Sequence, residues 1–302
     1  MRFFKRNAYG YLFIAPWLIG FLVFGLYPLL YSLYLSFTNF AMRPTTDFVG
    51  IQNYVNLITS DVLFQKSVQV TVHYVVFSVP LQLTFALLLA MVLNKGMLGL
   101  KYFRAAYYLP ALMGSSVAVA ILWRQVFGAE GILNQFFAFI GLPATITSIS
   151  WITNPDWAIY SLILLRMWQF GSPMIIFLAG LKQVPAGLYE SASLDGAGRF
   201  SKFAKITLPM LSPIILFNLI MQLISAFQLF TSAFIMGGSN QAGGGGGVAN
   251  SLLFYTIYLF RMGFVNFRMG YASAIAWILL IAVGGLTLLI FRSSNRWVHY
   301  NE

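Results

Sequence analysis

The sequence predicts an all-α membrane protein with six transmembrane helices. Three observations predict it. Hydrophobic residues make up 59% of the 302 and charged residues only 8%, with a mean hydropathy of +0.79, whereas a soluble globular protein carries about 25% charged residues. Six apolar runs are long enough to cross a bilayer, which takes about 20 residues. The cations gather on one side of those runs. Lipid offers the backbone no hydrogen-bond partners, so such runs must be helical.

The runs are Tyr11–Leu35, Val70–Leu93, Tyr107–Phe127, Ala158–Leu181, Ile214–Met236 and Tyr271–Phe291. The first follows a basic stub, is too long for a cleaved signal and lacks a small-residue cleavage site, so it reads as a retained helix. Pro28, Pro80 and Pro173 fall within or near the ends of runs. Each is expected to bend its helix, because the ring removes an N–H and crowds the preceding turn. The runs consume most of the length, so residues 1–302 read as a single transmembrane domain.

Orientation follows the cations. Arg2, Lys5, Arg6, Lys95, Lys101, Arg104, Lys182, Arg199, Lys202, Lys205, Arg292 and Arg296 share one side; Arg43, Lys66, Arg261 and Arg268 lie on the other. Twelve against four places both termini in the cytoplasm. The net charge of +11 is a consequence of this topology and does not point to nucleic acid.

The outer loops are then about 36–69, 128–157 and 237–270. Ile51–Lys66 puts Ile51, Tyr54, Val55, Ile58 and Val62 on one helical face, and Ile132–Ile140 is similar; both read as helices lying on the outer surface. The run from Gly243 to Gly247 lacks the Gly-Lys-Ser/Thr ending of a phosphate loop and joins no strand to a helix. It is expected to be a flexible external loop.

Little reactive chemistry is available. The chain has no cysteine and two histidines, His73 and His299, far apart in sequence. No catalytic site, metal site or bound cofactor is expected, and the absence of clustered acids, His or Cys argues against a membrane-embedded enzyme.

The loop at about 182–209 is too polar for lipid and too patterned for a slack linker. Pro185 suits the start of a helix. Leu188 and Ala192 then share a face, Glu190 lies near the positive helix end and Gly196 is placed to end the helix. A second segment carries Phe200, Phe203, Ala204 and Thr207 on one face and Arg199, Lys202 and Lys205 on the other, with Pro209 expected to close it. The result is a helix–glycine–helix knuckle, small enough for a groove on a partner.

Polar residues inside hydrocarbon usually face a bundle interior or a water-filled path. Asn218, Gln222, Ser225 and Gln228 are expected on one side of the fifth helix. Arg166, Gln169 and Ser172 lie together on the fourth, beside Trp168 and Pro173. Amides and hydroxyls beside aromatic faces suit a neutral sugar. The bland alternative is that they bond across helices, at about 0.6 kcal/mol each.

The stretch Glu190-Ser191-Ala192…Asp195-Gly196-Ala197…Ile206-Thr207-Leu208-Pro209 resembles the EAA loop of bacterial ABC importer permeases. The glycine, isoleucine, leucine and proline fall at the family spacing, and Ser191 replaces the usual second-position alanine. Asn7 to Pro16, Tyr27-Pro28, Leu35-Ser36-Phe37, Met269 to Ala274 and Arg296-Trp297-Val298 resemble the permeases of maltose- and glycerol-phosphate-type importers. The resemblance implies the ABC type I importer permease fold and a single permease domain in the bacterial cytoplasmic membrane. It implies a second permease as hetero-dimer partner, an ATPase homodimer that carries ATP and Mg²⁺ in trans, and an external sugar-binding protein. It carries Glu190, Ala192, Asp195 and Gly196 over as ATPase contacts. It also places a sugar path near Gln169, Ser172, Asn218, Gln222, Ser225 and Gln228. On the bland alternative, Arg166 simply pairs with a carbonyl or helps to hold the second permease.

An ion-coupled secondary carrier is the chief rival. Such carriers place carboxylates within the membrane, whereas Asp47, Asp61, Glu130, Asp156, Glu190, Asp195 and Glu302 all fall outside the six runs.

Overall fold

The computed structural model describes residues 8–41, 46–95, 99–114, 116–238 and 244–299. Arg2, Lys5, Arg6, Arg43, Gly243 and Glu302 lie outside the described residues. The chain is helical, as its composition requires. Among the described residues, four helices are long and apolar enough to cross a membrane alone, and two bent pairs raise the candidates to six. The chain divides into two compact units, one holding residues 1–61 and 259–281, the other 62–258 and 282–302.

The first unit begins with α1 (Ala8–Phe21), which passes through a π-helical turn (Leu22–Leu26) into α2 (Tyr27–Ser36). The Tyr27 N–H bonds back to the Leu22 carbonyl, one residue beyond the α-helical register. Pro28 has no N–H to give, and the wider turn before it absorbs that gap without ending the helix. Beyond α2 the Asn53 amide donates to the carbonyls of Ser36 and Thr38 at 2.8 and 2.9 Å, serving groups left open near the helix end. Asn53 belongs to α3 (Gln52–Thr59), which stops before Asp61, so the continuous helix expected over 51–66 is interrupted. Its buried residues are Asn53 and Leu57; Ile51, Val55 and Ile58 face outward, an apolar face suited to a membrane interface.

The second unit is built around α4 (Val62–Leu93), which begins eight residues before the expected span and runs unbroken through Pro80. The bend expected at Pro80 does not interrupt the helix. Then come α5 (Leu100–Met113), α6 (Val117–Val126), α7 (Ile132–Phe139) and the short α8 (Ala144–Thr147). The third run is therefore not one rod: its two parts, Tyr102–Met113 and Val117–Val126, are bent by 99°. Ser116 starts the second part by accepting the Val119 N–H, a cap that favours a new helix over continuation.

The fourth run is likewise two helices, α9 (Ala158–Trp168) and α10 (Gly171–Leu181), bent by 41°. The break falls at Gln169-Phe170, ahead of Pro173, which lies in the first turn of α10 where a missing N–H costs nothing. Gly171 allows the close approach: a Cβ there would sit 2.7 Å from the Tyr107 carbonyl oxygen.

After α11 (Ala186–Leu194), α12 (Arg199–Lys202) and a π turn (Phe203–Thr207) comes α13 (Leu208–Phe227). The fifth run breaks at Gln228–Phe230 before α14 (Thr231–Met236), with neither glycine nor proline to mark the place. Helices α9, α10 and α13 all pack on α4, and α14 packs on α6.

The glycine run corrects an expectation. Gly244 to Gly247 are buried, and Gly244, Gly245 and Gly247 have φ of +69°, +77° and +68°. The Gly245 N–H donates to the Gly238 carbonyl at 2.7 Å, and a Cβ on Gly245 would meet the Phe234 ring at 2.6 Å. These glycines form a packed turn where left-handed backbone and close contact leave no room for a side chain. Helices α15 (Tyr255–Phe260) and α16 (Met269–Ser294) complete the chain.

Candidate functional site

A cavity of about 230 Å³ lies among α4, α5, α9, α10 and α13, lined by Gln82, Ala111, Gly114, Arg166, Gln169, Ser172, Pro173, Gln222 and Ser225. That is room for about eight waters at ~30 Å³ each. The broken fourth span makes it possible. Gln169 sits at the C-terminal end of α9 and Ser172 in the first turn of α10, so the break turns both toward the same space as Arg166.

Arg166 is buried and acts as the hub. Its Nε donates to Gln82 Oε1 at 2.9 Å and one terminal nitrogen to Ser225 Oγ at 3.2 Å. The other donates to the Gln222 carbonyl at 2.9 Å and to Gln222 Oε1 at 2.8 Å. A guanidinium offers its donors in a planar fork, which fits this spread of acceptors over two helices. Every acceptor is neutral, so the charge is held by hydrogen bonds instead of a counter-ion, and charge-assisted bonds are the stronger kind. Arg166 thus pairs with a carbonyl and with side chains of its own chain. Gln82 extends the network by donating to the Gln169 carbonyl at 3.0 Å, and Gln169 Nε2 donates to the Gly114 carbonyl at 2.7 Å.

Among the described residues, three polar atoms of the lining accept or donate no bond: Gln222 Nε2, Gln169 Oε1 and Ser172 Oγ. One donor, one acceptor and one hydroxyl beside an apolar proline match the hydroxyl groups and C–H faces of a saccharide. Among the described residues, no Asp or Glu lines the cavity.

The cavity brings together Gln169, Ser172, Gln222 and Ser225 and leaves two predicted residues out. Asn218 is fully buried on α13, its amide without a partner, and does not reach the cavity. Gln228 is the residue that ends α13, where the chain leaves the helical register that was to align it with Gln222. Gln82 and Gly114 are the residues that reasoning from sequence missed. Gln82 carried a readable signal, an amide in the middle of an apolar run.

The polar knuckle forms a second site. Pro185 precedes α11, and the helix ends at Asp195 and Gly196, whose φ is +77°. The Gly196 N–H bonds to the Ser193 carbonyl at 3.1 Å and the Ala197 N–H to the Ala192 carbonyl at 2.8 Å. This double closure at a left-handed residue is the Schellman motif, and only glycine adopts it without strain.

The two arms are fastened together. The hydroxyls of Tyr189 and Thr207 lie 2.9 Å apart, and Lys202 Nζ donates to Ser193 Oγ at 2.6 Å. Pro209 does not close the second arm as expected. It lies at the first turn of α13, behind the π turn in which the Leu208 N–H reaches the Phe203 carbonyl, so the arm continues into the fifth span. The π turn also changes the phase of the helix. Thr207 turns inward, while Phe200 stays 81% exposed, so the face expected to join them is split. Leu194 at the tip is 91% exposed, and Glu190, Asp195 and Gly196 are exposed beside it, with Ala192 half-buried.

Comparison with known proteins agrees with this architecture. The family described as "Binding-protein-dependent transport system inner membrane component" matches residues 66–298. The chain is 47% identical over 298 residues to the probable ABC transporter permease protein YesP of Bacillus subtilis, covering 99% of this chain and 94% of that one. It is 36% identical over 290 residues to the lactose transport system permease protein LacF of Rhizobium radiobacter, covering 95% and 94%. A chain of the bacterial alginate ABC transporter, solved in complex with alginate pentasaccharide-bound periplasmic protein, shares the fold. Its TM-score is 0.81 at 23% identity, with 98% of this chain and 96% of that one covered.

Proposed function

The chain belongs to the binding-protein-dependent transport system inner membrane components and is an ABC-type importer permease, and from that premise we propose that it forms part of the path for a sugar or oligosaccharide. One observation carries the proposal: among the described residues, Gln222 Nε2, Gln169 Oε1 and Ser172 Oγ stand uncommitted around a cavity lined by no carboxylate. A neutral polyhydroxylated solute satisfies such groups without moving a charge through lipid. Relatives that transport lactose, arabinooligosaccharides and trehalose or maltose support the same class.

On this reading the permease pairs with a second, related permease, and a binding protein delivers the solute from outside. Both termini face the cytoplasm. ATP and Mg²⁺ belong to a separate ATPase pair, and this chain binds no cofactor. The knuckle docks on that ATPase through Leu194 and Phe200, with Glu190, Ala192, Asp195 and Gly196 forming the contact and its turn. Leu194 and Phe200 are both largely exposed on this loop, which supports the reading. The fastened arms then pass a displacement into α13, whose Gln222 and Ser225 hold Arg166.

Uptake of radiolabelled sugars into proteoliposomes tests the reading. Uptake is expected to require the binding protein, the second permease, the ATPase and internal ATP, and to ignore an imposed proton or sodium gradient. Gln222→Leu is expected to change the KM or the sugar preference while the complex still assembles. Identical kinetics for that variant across a panel of sugars overturns the cavity assignment.

A further inference from the structure

Beside the knuckle lies a second cleft, about 690 Å³ in volume, at the end of α4. Its two halves differ in chemistry. Leu88, Met91 and Val92 form an apolar wall, and the spacing 88, 91, 92, 95 continues the same helical stripe to Lys95. Arg199 and Lys202, from the second arm of the knuckle, line the cleft together with Lys95, and among the described residues no acidic one does. Leu88 and Val92 are 51% and 47% exposed, on a helix that is itself a membrane span. An apolar wall that runs toward hydrocarbon and ends in three cations has the polarity of an amphiphile with an anionic head.

We propose that this cleft binds one anionic phospholipid, its phosphate held by Lys95, Arg199 and Lys202 and an acyl chain laid along Leu88, Met91 and Val92. Basic pockets between helices at a membrane face recognise acidic head groups, at about 1 kcal/mol per Lys or Arg. Tyr189 and Thr207, the pair that fastens the knuckle, also line the cleft. A bound head group therefore braces the second arm against α4, and the lipid becomes part of the lever that the ATPase moves. The binding claim stands without the proposed function; the activity claim rests on it.

Three measurements test it. Purified permease complex exposed to mixed phosphatidylglycerol and phosphatidylcholine micelles should retain the first in native mass spectrometry. Lys95→Gln and Arg199→Gln should each lower that preference about fivefold. Millimolar inorganic phosphate should not displace the lipid; displacement would mean a free-anion site and overturn the proposal. The chain has no cysteine, so Val92→Cys supplies a unique thiol. It should react with a membrane-permeant maleimide in the assembled importer and, once derivatised with a bulky maleimide, lose lipid retention with the cations intact. A thiol protected until the second permease is removed would show that a protein covers the cleft, and would overturn it too. In vesicles, uptake should rise several-fold with phosphatidylglycerol content in the wild type and not in the Lys95→Gln/Arg199→Gln pair. Selective lipid retention with no dependence of uptake would keep the site and refute its place in the lever.

Discussion

Arg166 and Gln82 lie 84 positions apart in sequence and meet directly, Nε to Oε1 at 2.9 Å, inside the membrane-spanning bundle. The bond links the central helix α4 to the broken fourth span, and Gln82 passes it on to the Gln169 carbonyl. Gln82→Leu removes an acceptor from a buried guanidinium and a donor from the half-buried Gln169 carbonyl. Unsatisfied buried groups cost about 1–3 kcal/mol each. The melting temperature of the solubilised importer should fall by several degrees and uptake at least tenfold. Unchanged melting and uptake would show the bond to be idle.

Arg166→Lys keeps the charge and loses the fork. An ammonium cannot span acceptors on Gln82, Gln222 and Ser225 together. Uptake should fall nearly as far as in Arg166→Ala, although the complex still assembles. Full activity in the lysine variant would reduce Arg166 to a point charge.

These two residues show how far the sequence could be read. Arg166, Gln169, Ser172, Gln222 and Ser225 stood out because polar groups inside an apolar run usually face a bundle interior or a path, and the fold brings them to one cavity. Gln82 obeys the same rule but is the one amide in the second run, so no pair of amides drew attention to it. Asn218 fits the 3.6-residue spacing and still misses the cavity, since periodicity fixes a face and not what packs against it. The bend ahead of Pro173 was legible, although the break itself falls at Gln169-Phe170; the break between Met113 and Val117 was hidden inside a run that reads as one span. A helix can bend between two apolar halves without any change in composition.

Gly114 borders the cavity where Gln169 turns back on its carbonyl. A Cβ there would lie 2.7 Å from Gln169 Cδ, so even alanine must displace that amide. Gly114→Val should raise the KM for uptake several-fold and leave the basal ATPase rate of the complex intact. Equal effects on both rates would point to a global packing fault.

Gly196 has open space around it, so a substitution there meets no neighbour. Its φ of +77° is the obstacle. Holding an ordinary residue left-handed costs roughly 1–2 kcal/mol. Gly196→Val should abolish uptake and ATPase co-purification while the protein remains at normal levels in membranes. Normal co-purification would exclude the knuckle as the docking point.

Tyr189→Phe and Thr207→Val each break the fastening between the knuckle's arms. If the hydroxyls act as one bond, the two losses of uptake will not add in the double variant. Additive losses would separate the residues' roles.

The π turn at Phe203–Thr207 sets a clock between the knuckle and the cavity wall. Each residue of a helix advances the hand by about 100°. That π turn already holds one residue more than an α-helical turn, so a further residue inserted in the regular helix between it and Gln222 would leave both ends correctly composed, yet Gln222 and Ser225 are expected to point away from Arg166. Uptake is therefore expected to depend on the count of residues between two sites as well as on their identity.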